Sequence, residues 1–173
     1  MRALTVTALA LTFSIAVLAQ TKQERAGIVN FTKVDAVVAC GGATETAALE
    51  GLAKDGFKSV INLRLATEAN ANIDQNSAKA KELGLKYIHI PYNTQQLDPK
   101  IIDNFLAAIA DKSNQPAYVH CGSASRVGSV WLAKRVIQDG WTVEKATEEA
   151  KAIGLRSEPL EKFALSYIAT HKK

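Results

Sequence analysis

Residues 117–140, AYVHCGSASRVGSVWLAKRVIQDG, restrict the possible folds of this chain more than any other stretch. Tyr118 and Val119 form an apolar run between Pro116 and a Gly/Ser loop, the pattern of a strand buried on both faces. From Val127 to Ile137 the apolar residues Val127, Val130, Trp131, Leu132, Ala133, Val136 and Ile137 cover most of a helical circumference, and Gly140 stands where a helix stops. The expected element is a central, buried helix beginning near Arg126. A strand feeding such a helix through a loop of small residues is the repeating unit of a parallel α/β sheet. At the strand's carboxyl end, unpaired amides and the positive end of the helix dipole converge, and anions bind there.

Cys121 opens that loop and Arg126 closes it. The helix end and the guanidinium both favour a charged thiol, which predicts a pKa lowered from about 8.5 into a range of roughly 3.5 to 7.5. A thiolate is a strong nucleophile, and a guanidinium grips an oxyanion through two parallel hydrogen bonds. The competing interpretation is a small buried hydrophobe beside a surface charge. Against it, a cation at a helix amino terminus is electrostatically misplaced unless an anion sits there.

The rest of the chain alternates in the same way. Strands are expected at Asp35–Cys40, Ser59–Leu63 and Lys86–Ile90, with helices from a Thr44 cap to Asp55, over Ser77–Leu83, and after Asp98-Pro99. Beyond Gly140, Thr142 caps a helix closed by Gly154, and Leu160, Phe163, Ala164, Tyr167 and Ile168 mark a last one. Four buried strands alternating with helices give an α/β sandwich, with a central, mostly parallel sheet of four or five strands flanked by helices. Parallel strands would bring Arg64–Asn76, with Thr67, Glu68, Asn70, Asn72 and Asp74, to the same sheet end as Cys121.

HCGSASR at a strand-to-helix loop resembles the signature of the cysteine-dependent protein tyrosine and dual-specificity phosphatases. Together with VINLRLATEAN at 60–70 and GLKYIHIPYN at 84–93, the block HCGSASRVGSVWLAKR at 120–135 resembles the bacterial beta-lactamase hydrolase-like phosphatase family over roughly residues 28–155. The resemblance implies a phosphatase-like sandwich that hydrolyses phosphate monoesters through a phosphocysteine on Cys121. Gly122, Ser123, Ala124, Ser125 and Arg126 would bind the phosphate, His120 would help set the thiol pKa, and Arg64 and Glu68 would support the site. For Arg64 and Glu68 a solvated or mutually paired surface role stays open.

In three places the loop departs from the usual phosphatase pattern. It has four residues between Cys121 and Arg126 instead of five, the spacing of rhodanese-type sulfurtransferases. Val127 replaces the Ser or Thr that commonly follows the arginine, so Ser123 or Ser125 becomes the candidate for its role. Ala124 stands where glycine is frequent. Phosphatases of this superfamily carry an aspartate general acid in the loop corresponding to Pro91–Pro99, where Asn93 and Thr94 are not acids and Asp98 is the one carboxylate. Asp98 is thus a candidate general acid or simply the N-cap of the next helix. The alternatives to a phosphatase are a sulfurtransferase carrying a persulfide on Cys121 and a non-catalytic anion-binding domain.

Residues 1–19 combine Arg2, an apolar core from Ala8 to Val17 and a Val17-Leu18-Ala19 ending, which reads as a secretory signal peptide cleaved before Gln20. The expected product, residues 20–173, is a single periplasmic or secreted domain without stable membrane association. Loss of Arg2 leaves it with a formal charge of +3 against +4 for the whole chain, too mild and too dispersed to imply nucleic acid. Its partner is expected to be a phosphorylated small molecule or a phosphoprotein. The only cysteines are Cys40 and Cys121, so this is no disulfide scaffold. Cys40 either ends a core strand or serves as a resolving thiol for Cys121. Three histidines and two dispersed thiols match no metal motif, and neither metal nor cofactor is expected.

Overall fold

The computed structural model describes residues 20–172. The expected signal peptide at 1–19 lies outside the described residues. Four strands, β3 (Val38–Gly41), β4 (Ser59–Asn62), β5 (Lys86–His89) and β6 (Ala117–His120), pair in parallel. Two more, β1 (Thr21–Lys22) and β2 (Thr32–Lys33), add antiparallel at one edge, giving the order β1-β2-β3-β6-β4-β5. The mixed sheet keeps the expected α/β class and has six strands among the described residues. The extra two escape sequence analysis because two residues carry no periodicity; they exist through pairings such as Thr32 with Cys40.

Strand alternation decides which helices cover which face. Cys40, Ile61 and Val119 point into one cluster with residues of α3 (Lys100–Ala110), α4 (Ser125–Ile137), α5 (Val143–Ile153) and α6 (Glu158–His171). Ala39, Val60 and Tyr118 point the other way, against α1 (Ala48–Lys54) and α2 (Ile73–Glu82). The sheet is therefore the middle of three layers. As expected from apolar residues on most of its circumference, α4 is the central helix of the thicker layer, packed on α5 and α6. Gly128 permits that packing, since a Cβ there would lie 2.8 Å from the Ala150 carbonyl oxygen and from Leu155 Cβ.

Local signals were followed unevenly. Thr142 accepts the Lys145 amide and caps α5 as expected. Thr44 does not cap α1: its hydroxyl donates to the Gly42 carbonyl and meets the Tyr118 hydroxyl at 2.8 Å, and the helix begins only at Ala48. A buried tyrosine needs a partner more than an exposed helix end does, and Thr44 is the residue within reach. Helix α2 begins at Ile73, four residues earlier than expected, because Asn72 adopts the left-handed conformation and turns the chain into it.

Candidate active site

β6 lies between β3 and β4, so its carboxyl end opens where the neighbouring connections run to opposite sides. Cys121 follows directly and is only 1 % exposed, on the α4 side of the sheet. The loop is tied to its surroundings through its carbonyls: the Ala43 amide donates to Gly122 O (2.8 Å) and the Asn30 side chain donates to Ser123 O (3.3 Å). Ala124 turns the loop into α4 at φ 74°, a left-handed backbone that costs a residue with a Cβ on the order of 1 kcal/mol. With the carbonyls bound outward, the amides of Gly122, Ser123 and Ala124 have no backbone partner among the described residues. Those of Ser125 and Arg126 open α4, where no intrahelical acceptor exists.

Arg126 is fixed above the loop by four acceptors. Nη1 donates to Glu68 Oε1 (2.5 Å), to Leu63 O (3.2 Å) and to Tyr92 O (3.2 Å), while Nη2 donates to Glu68 Oε2 (2.8 Å). Glu68 also accepts the Leu65 amide (2.8 Å) and Arg64 Nε (3.1 Å). Arg64 in turn holds the carbonyls of Ala69 and Asn70. Burial alone would raise the Glu68 pKa; the hydrogen bonds from Arg126, Leu65 and Arg64 outweigh it and hold the carboxyl down at about 2. Burial pulls the Arg126 pKa down, but Glu68 and the adjacent Cys121 thiol outweigh it and leave it above the ordinary value. Arg64 and Glu68 are thus paired with each other, as one reading of the sequence had it, and Glu68 in addition holds Arg126. The direct Glu68–Arg126 fork spans 58 residues and has no sequence signal.

His120 faces the opposite layer, stacked on Tyr118 with ring centroids 5.6 Å apart. Its Nδ1 is buried without a hydrogen-bond partner among the described residues. Burial, then the charge of Arg64, bring its pKa down to about 4 against smaller opposing contributions from the backbone of Gly42 and Cys121. Between about pH 6.5 and 4 the unfolded chain therefore binds a proton that the folded one refuses, and stability falls as pH drops through this window. Urea midpoints at pH 7 and 4.5 should differ in the wild type and differ less in His120→Gln; an unchanged difference would contradict the assignment.

A pocket of about 360 Å³ lies beside the loop, lined by Leu65, Glu68, Tyr92, Asn93, Thr94, Gln95, Ser123, Ser125, Arg126, Ser157 and Leu160. Asp98, the candidate general acid, is exposed and does not line it. Its Oδ1 accepts the Lys100 amide (2.9 Å) at the start of α3, so the geometry matches the capping alternative. Ser125 Oγ accepts the amides of Arg156 (3.2 Å) and Ser157 (3.3 Å), tying the loop to the turn before α6. His89 Nε2 meets the Arg64 carbonyl at 2.8 Å and is a satisfied strand residue. Cys40 and Cys121 are both free thiols; Cys40 stands opposite Val119, two residues short of Cys121, and burial first, then Glu149 and Asp35, push its pKa well up.

A family model described as "DSP-PTPase phosphatase fused to NAD+ Kinase" matches residues 12–165. No curated protein matches the chain. Among solved structures, a putative phosphatase (DUF442) from Shewanella putrefaciens superposes with a TM-score of 0.74 at 18 % identity, over 85 % of this chain and 96 % of that one. The core catalytic domain of the PP-IP phosphatase SIW14 from S. cerevisiae gives 0.67 at 17 % identity, over 79 % and 84 %. P. aeruginosa TpbA in complex with pTyr gives 0.63 at 15 % identity, over 81 % and 83 %. At these identities the likeness is one of fold, and it agrees with the α/β architecture described above.

Proposed function

Because the chain belongs to the family of DSP-PTPase phosphatases described as fused to NAD+ kinase, we propose that it is a phosphatase working through a phosphocysteine on Cys121. The observation that carries this reading is the Arg126 fork, clamped by Glu68 over a loop whose amides are free and whose first residue is a thiol. Cys121 Sγ attacks phosphorus in line with the departing oxygen. The amides of Gly122 to Arg126 and the Arg126 guanidinium hold the equatorial oxygens, where the transferring group carries its charge. Water then attacks phosphorus on the opposite side, breaks the P–S bond and returns the thiolate. Glu68 does not touch the phosphoryl group; it positions Arg126, and its low pKa keeps it charged throughout the working pH range.

The substrate carries a phosphoryl group on a small molecule or a protein side chain, as pTyr does in the TpbA complex. The test is covalent trapping. Reduced protein mixed with p-nitrophenyl phosphate and quenched in acid should yield the phosphoryl group on the peptide containing Cys121. Phosphate release without that adduct would remove the phosphocysteine route. The sulfurtransferase alternative rests on the short loop, and it would show itself instead as a thiosulfate-dependent persulfide on Cys121.

A further inference from the structure

The pocket beside the loop contains a guanidinium and several neutral donors, but no group placed to release a proton. Among the described residues Glu68 is the only carboxylate lining it, and both its oxygens are committed to Arg126. Tyr92 is committed too. Ser129 donates its one hydroxyl proton to the Arg126 carbonyl (2.8 Å), so at the 3.2 Å contact between them the Tyr92 hydroxyl must be the donor. Burial raises the Tyr92 pKa to about 12, which makes it a poor acid besides. Along the rim Asn93, Thr94 and Gln95 present amides and a hydroxyl, and Asn93 Oδ1 accepts the Gln95 amide (3.0 Å) to hold that turn. Ser125, with its oxygen accepting two amides, keeps its hydroxyl proton free to donate into the pocket.

We propose that this site acts on phosphoryl compounds whose leaving group departs as a stable anion without receiving a proton from the protein. Phosphoanhydrides and aryl phosphates of acidic phenols meet that requirement, and alkyl phosphates such as phosphoserine do not. The inference rests on the phosphatase reading above and specifies its substrate class. In the first step the Cys121 S–P bond forms as the P–O bond to the leaving group breaks, and the bonding pair leaves with that oxygen as an anion. In the second, water oxygen bonds to phosphorus, the P–S pair returns to sulfur as thiolate, and the water proton passes to the phosphate or to solvent. Neutral amides and hydroxyls assist by hydrogen-bonding the departing oxygen, which lowers its energy without transferring a proton.

A leaving-group series tests this on the reduced full-length chain. The probes are acetyl phosphate, p-nitrophenyl phosphate, phenyl phosphate and phosphoserine, with the wild type and Asp98→Asn, which keeps an oxygen for the Lys100 amide. The expected result is fast turnover of the first two and a fall of about 10² to 10⁴ from p-nitrophenyl to phenyl phosphate, the range a general acid would have supplied. Asp98→Asn should stay within about threefold of wild type on every probe. Rates that vary less than tenfold across the series, or a hundredfold loss in Asp98→Asn on phenyl phosphate alone, would overturn the inference and leave the phosphatase reading standing. Absence of turnover on all four probes would overturn that reading, and the inference with it.

Discussion

Cys121→Ser is expected to lower phosphate release by at least about 10⁴-fold, and Arg126→Lys by about 10² to 10³. The two numbers differ because the side chains do different jobs. A serine at 121 is close in size to the thiol it replaces, yet its hydroxyl stays protonated at neutral pH, and no side chain lining the neighbouring pocket is free to act as its base. Lysine at 126 keeps the positive charge and loses the fork. One ammonium cannot span both Glu68 oxygens, Leu63 O and Tyr92 O while presenting parallel donors to a phosphoryl group. Most of the Arg126→Lys loss should appear in kcat, since the fork matters most as charge moves onto the equatorial oxygens. Steady-state kinetics with p-nitrophenyl phosphate measures both variants. A lysine variant within tenfold of wild type would mean that the amides alone hold the phosphoryl group.

The strand, loop and helix around Cys121 were legible because each signal was local. Apolar residues filled a strand and most of the girth of a helix, and two charged or nucleophilic groups stood at the junction. The parallel orientation of the four main strands was legible for the same reason, from alternation of strand and helix, though their order in the sheet was not. Glu68 was visible as a polar residue arriving at the correct sheet end, and through the family resemblance as a supporting one; its grip on Arg126 depends on how far the Arg64–Asn76 segment folds back, which no spacing encodes. Thr44 misled because a threonine before a helix and a threonine under a buried tyrosine look alike in one dimension. Asp98 carried two readings into the structure, and the Lys100 amide is the partner it took.

Rigid support for the loop comes from behind it. α4 is a single helix from the loop to a buried ionic cluster nine residues on, where Arg135 Nε donates to Glu149 Oε2 (2.6 Å) and Nη2 to Glu149 Oε1 (3.1 Å). Arg135 also reaches Asp139 (2.8 Å) and lies between Trp131 and Trp141, with centroid distances of 4.7 and 4.4 Å. Trp131 Nε1 donates to the same Glu149 carboxylate (2.7 Å). The cluster joins α4 to α5 and none of its residues lines the pocket, so it can be weakened without touching a group that handles phosphate.

Glu149→Ala is accordingly expected to cost about 3 kcal/mol of stability, within the range of about 3 to 5 kcal/mol for removing one partner of a buried pair. The indole N–H of Trp131 loses its acceptor, and the Arg135 fork is left facing a void with only Asp139 and a distant Asp35 oxygen (3.4 Å) to hold it. Glu149→Gln keeps an acceptor for Trp131 and should lose less. Arg135→Met combined with Glu149→Leu removes both charges while filling the same volume, and should recover part of the Glu149→Ala loss; the remainder, about 1 to 3 kcal/mol, is the buried Trp131 indole N–H still left without its acceptor. Urea unfolding at pH 7 measures all three. A Glu149→Ala cost below 1 kcal/mol would show that solvent already screens the pair. Activity provides the independent readout: below its unfolding transition Glu149→Ala should keep the wild-type kcat, whereas Arg126→Lys should lose kcat without losing the fold. A Glu149→Ala protein that stayed folded but lost kcat as Arg126→Lys does would make the cluster part of the loop's geometry.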